Sequence, residues 1–119
     1  MKAFLSLIRF SNISIAAFAC LVAAYIVAID NIISYNDLLH CIIIISLFMS
    51  FGNILNDLYD IKIDKIVHPD RPLPLKQITV SSAYIIMIII LFFGIISSLY
   101  INLLSQKFLF WTIIPLLIG

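Results

Sequence analysis

Leu38-Leu39-His40-Cys41-Ile42-Ile43-Ile44-Ile45-Ser46-Leu47-Phe48-Met49-Ser50-Phe51-Gly52-Asn53-Ile54-Leu55, followed at once by Asn56-Asp57-Leu58-Tyr59-Asp60-Ile61-Lys62-Ile63-Asp64, decides the class of fold. The first part carries no Asp, Glu, Lys or Arg. It approaches the ~20 residues that a helix needs to cross the hydrocarbon core of a bilayer. Ile42–Ile45 has high β propensity, but an open strand in lipid leaves its backbone polar groups unsatisfied, so a helix is predicted. The second part is a sudden cluster of oxygen-bearing side chains at the end of that span.

The flanking segments follow the same pattern. Ser11 to Ile29 reads as a first span and Val80 to about Leu104 as a third. A fourth apolar run starts at Phe108 and continues to Gly119, too short to cross as a helix at ~1.5 Å per residue. The predicted fold is therefore all-α: a polytopic transmembrane helical bundle with about three complete spans and a truncated fourth. Composition agrees, with 64% hydrophobic and 11% charged residues, where a soluble domain carries about 25% charged. Lys2 and Arg9 precede an apolar run that continues past Cys20 to Ile29, longer than the ~7–15-residue core of a signal peptide, so a retained helix is expected.

Charge sets the orientation and excludes some partners. The net charge of +1 forms no basic stripe for a nucleic acid. Cys20 and Cys41 have no CxxC or Cys/His metal spacing and read as packing thiols. The connection from Asp30 to Asp37 has no Lys or Arg, whereas that from Asp57 to Thr79 holds Lys62, Lys65, Arg71 and Lys76. The positive-inside rule then puts the N-terminus and residues 57–79 in the cytoplasm. The expected location is a cell inner or plasma membrane with the polar cluster facing the cytoplasm.

The acids carry the chemistry. All six are Asp, and four fall between residues 57 and 70. Asn56, Asp60 and Asp64 are spaced i, i+4, i+8, which predicts a ladder along one face of a helix over about 12 Å. Asp57 falls at the edge of that face, Asn53 lies one turn earlier, and Gly52 would admit a close neighbour. Converging carboxylates repel one another, and a hard divalent cation offsets that repulsion. Mg²⁺ favours a few carboxylates completed by water and phosphate oxygens. The alternative is a solvated helix end after a membrane span, ordinary for a cytoplasmic loop. His68-Pro69-Asp70-Arg71-Pro72-Leu73-Pro74 follows, where prolines stiffen the loop that presents Arg71 to a phosphate. Its own alternative is a plain connector with a snorkelling Arg.

Taken together, Gly52 to Ile66 and Pro69-Asp70-Arg71-Pro72-Leu73-Pro74 resemble the UbiA-type intramembrane prenyltransferases. The family's first motif, N-D-x-x-D-x-x-x-D, is met at Asn56, Asp57, Asp60 and Asp64, and its P-x-R-P element at Pro69, Arg71 and Pro72. Leu7-Ile8-Arg9-Phe10-Ser11-Asn12 is similar to the family's opening, where an Arg and often an Asn begin the first helix near the diphosphate. Two details depart. Ile61 stands where the family often has a basic residue, and Leu75-Lys76 replaces a small residue and Gly.

The resemblance implies that residues 1–119 are the N-terminal part of a single prenyltransferase domain. It implies transfer of a prenyl group from a prenyl diphosphate to a lipid or aromatic, quinone-type acceptor, with Mg²⁺-assisted loss of pyrophosphate. The implied metal ligands are Asn56, Asp57, Asp60 and Asp64, with Asn56, Asp60 and Asp64 catalytic. Arg9, Asn12, Asn53, Lys62 and Arg71 would bind the diphosphate. Phe48, Phe51 and Tyr59 are candidates to line a tunnel for the prenyl tail. The motif and loop look more like members that prenylate a glycerol-phosphate lipid precursor, or a chlorophyll-like or quinone-type acceptor, than like haem-farnesylating members, and a geranylgeranylglycerol-phosphate-type enzyme is the expectation. Other classes remain open: an ion-coupled transporter, whose acids would sit near the midplane, or an inactive structural membrane subunit. With one Asp-rich cluster, this piece alone is expected to be inactive.

Overall fold

The computed structural model describes residues 1–28 and 35–104. The run from Phe108, and most of the connection between Asp30 and Asp37, lie outside the described residues. Within them every regular element is a helix: α1 Lys2–Leu7, α2 Phe10–Ala28, α3 Tyr35–Tyr59, α4 Ile61–Val67 and α5 Val80–Leu104. The chain thus folds as a transmembrane helical bundle, with α2, α3 and α5 matching the three expected spans.

Helix α3 is central. It packs along α5 on one side and α2 on the other, with smaller contacts to α1 and α4. Both α3 and α5 have the length and apolarity to cross a bilayer, and α2 is apolar over Phe10–Ile26. Their outward residues stay apolar: Ile15 and Phe18 on α2, and Ile88 and Phe92 on α5, are all exposed. A helix apolar all round belongs in lipid or deep in a larger bundle. Between α3 and α5 the contact is close. A methyl group on Gly94 would stand 3.6 Å from Leu47 Cβ and from the Phe48 ring. Phe48 is therefore a packing residue of this interface. Gly52, by contrast, faces open space among the described residues.

The core is not at mid-span. Leu7, Ile8, Ile13, Ile54, Leu58, Leu73 and Ala83 form one buried cluster, joined by Ile61, Ile78 and Met87. These residues come from the end of α1, the α1–α2 junction, the start of α2, the end of α3, the loop after α4 and the start of α5, so the cluster lies at one end of the bundle. The loop after α4 closes it. Pro72 is fully buried and Leu73 is 3% exposed. The backbone turns tightly through bonds from Arg71 N to His68 O (3.1 Å), Leu75 N to Arg71 O (3.0 Å) and Gln77 N to Pro72 O (3.0 Å). Thr79 then caps α5, its Oγ1 accepting from Ser82 N at 3.1 Å, as N-cap hydroxyls do.

A short helix precedes the first span: α1 ends at Leu7 and α2 begins at Phe10, with Arg9 at φ 53 between them. The acidic segment departs from the sequence reading: it is not one helix, since α3 ends at Tyr59 and α4 begins at Ile61, with Asp60 at φ −88, ψ 6 between.

Candidate functional site: an arginine–aspartate cluster at the end of α3

The inward stripe of α3 and α4 runs through Ile54, Asp57, Leu58 and Asp64, all buried. It corrects the expected ladder. Even in one unbroken helix each step of four overshoots a full turn by about 40°, and here the helix is interrupted at Asp60, so that Asp57 on α3 and Asp64 on α4 are the acids that turn inward. Asp57 is 2% and Asp64 3% exposed, while Asn56 is exposed and Asp60 half-buried at the break. Asp57, expected at the edge of the polar face, is at the centre.

Two arginines answer the two buried acids. The chain has no other Arg, so both guanidinium groups converge here. Arg71 Nη1 donates to Asp64 Oδ2 at 2.6 Å and stands 3.4 Å from Asp57 Oδ1. Arg9 Nη2 donates to the same Asp57 Oδ1 at 2.5 Å. The arginines keep about a quarter of their side chains exposed (27% and 25%) against 3% and 5% for the acids, so the carboxylates form the floor and the guanidinium groups the open side. Hydrogen bonds to ionised partners such as these are among the stronger ones.

Backbone geometry brings Arg9 here. A left-handed φ in a non-Gly residue costs on the order of 1–2 kcal/mol, and such residues concentrate where a site demands them. The break turns α2 away from α1, and Arg9 O then receives the bonds from Asn12 N (2.9 Å) and Ile13 N (3.3 Å) that open α2. Asn53 of α3 donates its Nδ2 to Ile8 O at 2.9 Å. Arg71 is held by the loop whose Pro72 and Leu73 are anchored in the core.

A cleft of about 450 Å³ opens on this cluster, lined by Leu5, Ser6, Arg9, Phe10, Ser11, Asn12, Asp57 and Arg71. Of the residues expected from sequence, Arg9, Asn12, Asp57 and Arg71 share it, and Asp64 is tied to it through Arg71. Asn56, Asp60 and Lys62 do not line it. Asn53 meets backbone instead, and Lys62 is exposed with no ion pair among the described residues. Sequence reasoning missed Ser6 and Ser11, because they reach the cleft only through the α1–α2 break, which no Gly or Pro announces.

A cation's fit can be judged from the acids' remaining oxygens. Among the described residues no three His, Cys, Asp or Glu side chains converge as a ready metal cage. Yet Asp57 Oδ2 and Asp64 Oδ1, on nearly buried side chains, form no hydrogen bond among those residues. They leave hard oxygen donors to spare, and Mg²⁺ takes one or two carboxylates plus substrate phosphate rather than a closed cage. The donor set fits such an ion.

Fold and site define a helical membrane protein with an acid–arginine cluster at one end of its second span. The model of the UbiA prenyltransferase family matches residues 16–118, and the chain belongs to that family. It is 38% identical over 100 residues to a digeranylgeranylglyceryl phosphate synthase of Methanococcus maripaludis strain C5, covering 84% of this chain and 36% of that protein. A similarly named protein of Sulfurisphaera tokodaii is 35% identical over 103 residues, 87% of this chain and 37% of that one. A solved structure of digeranylgeranylglyceryl phosphate synthase superimposes with a TM-score of 0.77 at 33% identity, over 85% of this chain and 36% of that one. The chain thus spans about a third of the length of the relatives it matches.

Proposed function

We propose that residues 1–119 are the N-terminal part of a single intramembrane prenyltransferase domain. The reaction is transfer of a geranylgeranyl group from its diphosphate to a geranylgeranylglyceryl phosphate, in a membrane and with the site on the cytoplasmic side. The observation that carries this reading is the cluster itself: two arginines and two buried acids sharing a cleft at the end of an apolar span. The names of the similar synthases support the acceptor class. The position of the acids, at the end of α3 and beyond it rather than mid-span, argues against an ion-coupled transporter.

In this reading the bond between the allylic carbon and the diphosphate oxygen breaks. The acceptor hydroxyl oxygen bonds to the allylic carbon, and its proton leaves with the pyrophosphate. The residues' part is electrostatic. Arg9 and Arg71, with Asn12 beside them, would hold the diphosphate and neutralise charge developing on the leaving group. Lys62, exposed on α4, would add positive charge near the diphosphate. Asn56, Asp57, Asp60 and Asp64 would hold Mg²⁺, which when bound supplies further charge neutralisation on the phosphate oxygens. Apolar walls between the helices, Phe51 and Tyr59 among the candidates, would keep water from the allylic cation.

The test is a membrane assay of the full-length enzyme, with Mg²⁺, a panel of prenyl diphosphates and a panel of acceptors, read by product mass. A glyceryl phosphate carrying two geranylgeranyl groups is the expected product. Asp60→Asn and Asp64→Asn are each expected to lower turnover by roughly a hundredfold or more, the scale of losing charge stabilisation at a reacting centre. Raised Mg²⁺ should partly restore it. Product formation indifferent to both substitutions would refute the metal assignment, and no prenyl transfer to any acceptor would refute the activity.

A further inference from the structure

Asn53 and Asp57 stand one helical turn apart on α3, and both reach the α1–α2 junction. Asn53 Nδ2 donates to Ile8 O at 2.9 Å. Asp57 Oδ1 accepts from Arg9 Nη2. Ile8 O and Arg9 N belong to one peptide unit, and that unit is followed at once by the left-handed φ of Arg9. The Ile8 carbonyl would otherwise lack a partner at the end of α1, where helices leave acceptors unmet. Holding it fixes the peptide plane from which Arg9 departs. Arg9 is thus gripped twice by one helix, by its backbone through Asn53 and by its guanidinium through Asp57.

We propose that Asn53 is a positioning residue, not a ligand: its side-chain amide holds the Ile8 carbonyl, and through it keeps Arg9 in the left-handed turn that delivers the guanidinium to the cleft. This rests on the reading above only in assigning Arg9 to the diphosphate. Several alternatives for Asn53 are less economical. Its amide nitrogen already donates to the Ile8 carbonyl, and the residue does not line the cleft. The role is also chemically narrow. It needs a donor of fixed reach, which an isosteric apolar side chain lacks and which a histidine Nδ1–H reproduces.

The experiment uses the whole chain in lipid nanodiscs and an arginine-selective dicarbonyl reagent, with modification of each arginine followed by mass. The two arginines report separately, Arg9 on the junction and Arg71 as the internal reference from the loop. In Asn53→Leu, Arg9 is expected to react about fivefold faster, the change in an opening equilibrium when one ordinary hydrogen bond is lost. Arg71 is expected to keep its wild-type rate, and Asn53→His to bring Arg9 back towards it. Should Asn53→Leu fail to insert, Asn53→Ser, whose hydroxyl is too short to reach Ile8 O, takes its place. An unchanged Arg9 rate in the variant would overturn the proposal, and so would a rise of Arg71 in step with Arg9, which marks general loosening. A second arm adds inorganic pyrophosphate with Mg²⁺ to the wild type, where protection of Arg9 is expected. Absence of protection would overturn the diphosphate assignment of Arg9, while the rates without pyrophosphate judge Asn53 by themselves.

Discussion

Asp57 illustrates how one side chain organises several elements. Its Oδ1 meets Arg9 from the α1–α2 junction and Arg71 from the loop after α4, so its charge ties three segments to α3. Removing one partner of a buried ion pair costs about 3–5 kcal/mol. The arginines' partial exposure moves the expectation to the low end, roughly 3 kcal/mol. Asp57→Asn is therefore expected to lower stability by roughly that amount, with Asp70→Asn, on an exposed loop residue, within about 0.5 kcal/mol of wild type. Denaturation in mild detergent followed by helical circular dichroism compares them. Equal midpoints would remove Asp57 from the centre of the cluster. The residue types of this site were legible in the sequence: Arg9, Asp57, Asp64 and Arg71 were all singled out. Their partnership was not. A four-residue spacing stands out to the eye, whereas Asp57 and Asp64 are brought together across the break at Asp60, which the spacing does not announce. Arg71's reach depends on a loop fold set by the burial of Pro72 and Leu73 and by the turn bonds around them.

At the scale of elements, the three long helices follow from apolarity and length, and the sequence places them within a few residues of α2, α3 and α5. The breaks at Arg9 and Asp60 escaped because neither carries a Gly or Pro. Tertiary bonds impose the first, through Asn53 and Asp57, and the second accompanies the burial of Asp64 against Arg71. The α3–α5 interface yields its own test. A methyl at Gly94 meets Leu47 and Phe48 at ordinary contact distance, and alanine favours a helix over glycine by about 1 kcal/mol. Gly94→Ala is expected to be neutral or slightly stabilising. Gly94→Leu must push against Leu47 and the Phe48 ring, and overpacking of this kind costs about 1–3 kcal/mol. Thermal unfolding in detergent should rank alanine at or above glycine and leucine clearly below. A leucine variant as stable as wild type would show that α3 and α5 do not approach this closely.

For the whole molecule, the charge asymmetry between connections predicts a topology. Lys62, Lys65, Arg71 and Lys76 lie between α3 and α5, and residues 30–37 have none. We expect the N-terminus and residues 57–79 on the cytoplasmic side. Single cysteines at positions 65 and 36, with Cys20 and Cys41 replaced by Ala, should react with a membrane-impermeant maleimide from opposite faces of the membrane. Reaction of position 65 from the external face alone would reverse the assignment. The chain also spans about a third of its relatives' length. Expressed by itself it is expected to insert and yet transfer no prenyl group, because a leaving diphosphate must be held on all its charged faces. Prenylated product from the isolated chain, abolished by Asp60→Asn, would show that it is a sufficient catalyst.

The gathering of buried residues at one end of the bundle has a mechanical consequence. Leu7, Ile13, Ile54, Leu58, Leu73 and Ala83 act like a clasp, together with the arginine–aspartate contacts, and among the described residues this is where the buried apolar cluster gathers. Under tension, a clasped bundle peels from its loose ends and holds at the fastened one. Drawn out of a bilayer by a probe attached near the end of α5, the chain should give way first along that helix at modest force. The last and highest rupture should come when the loop carrying Arg71 and Pro72 is torn from the end of α3.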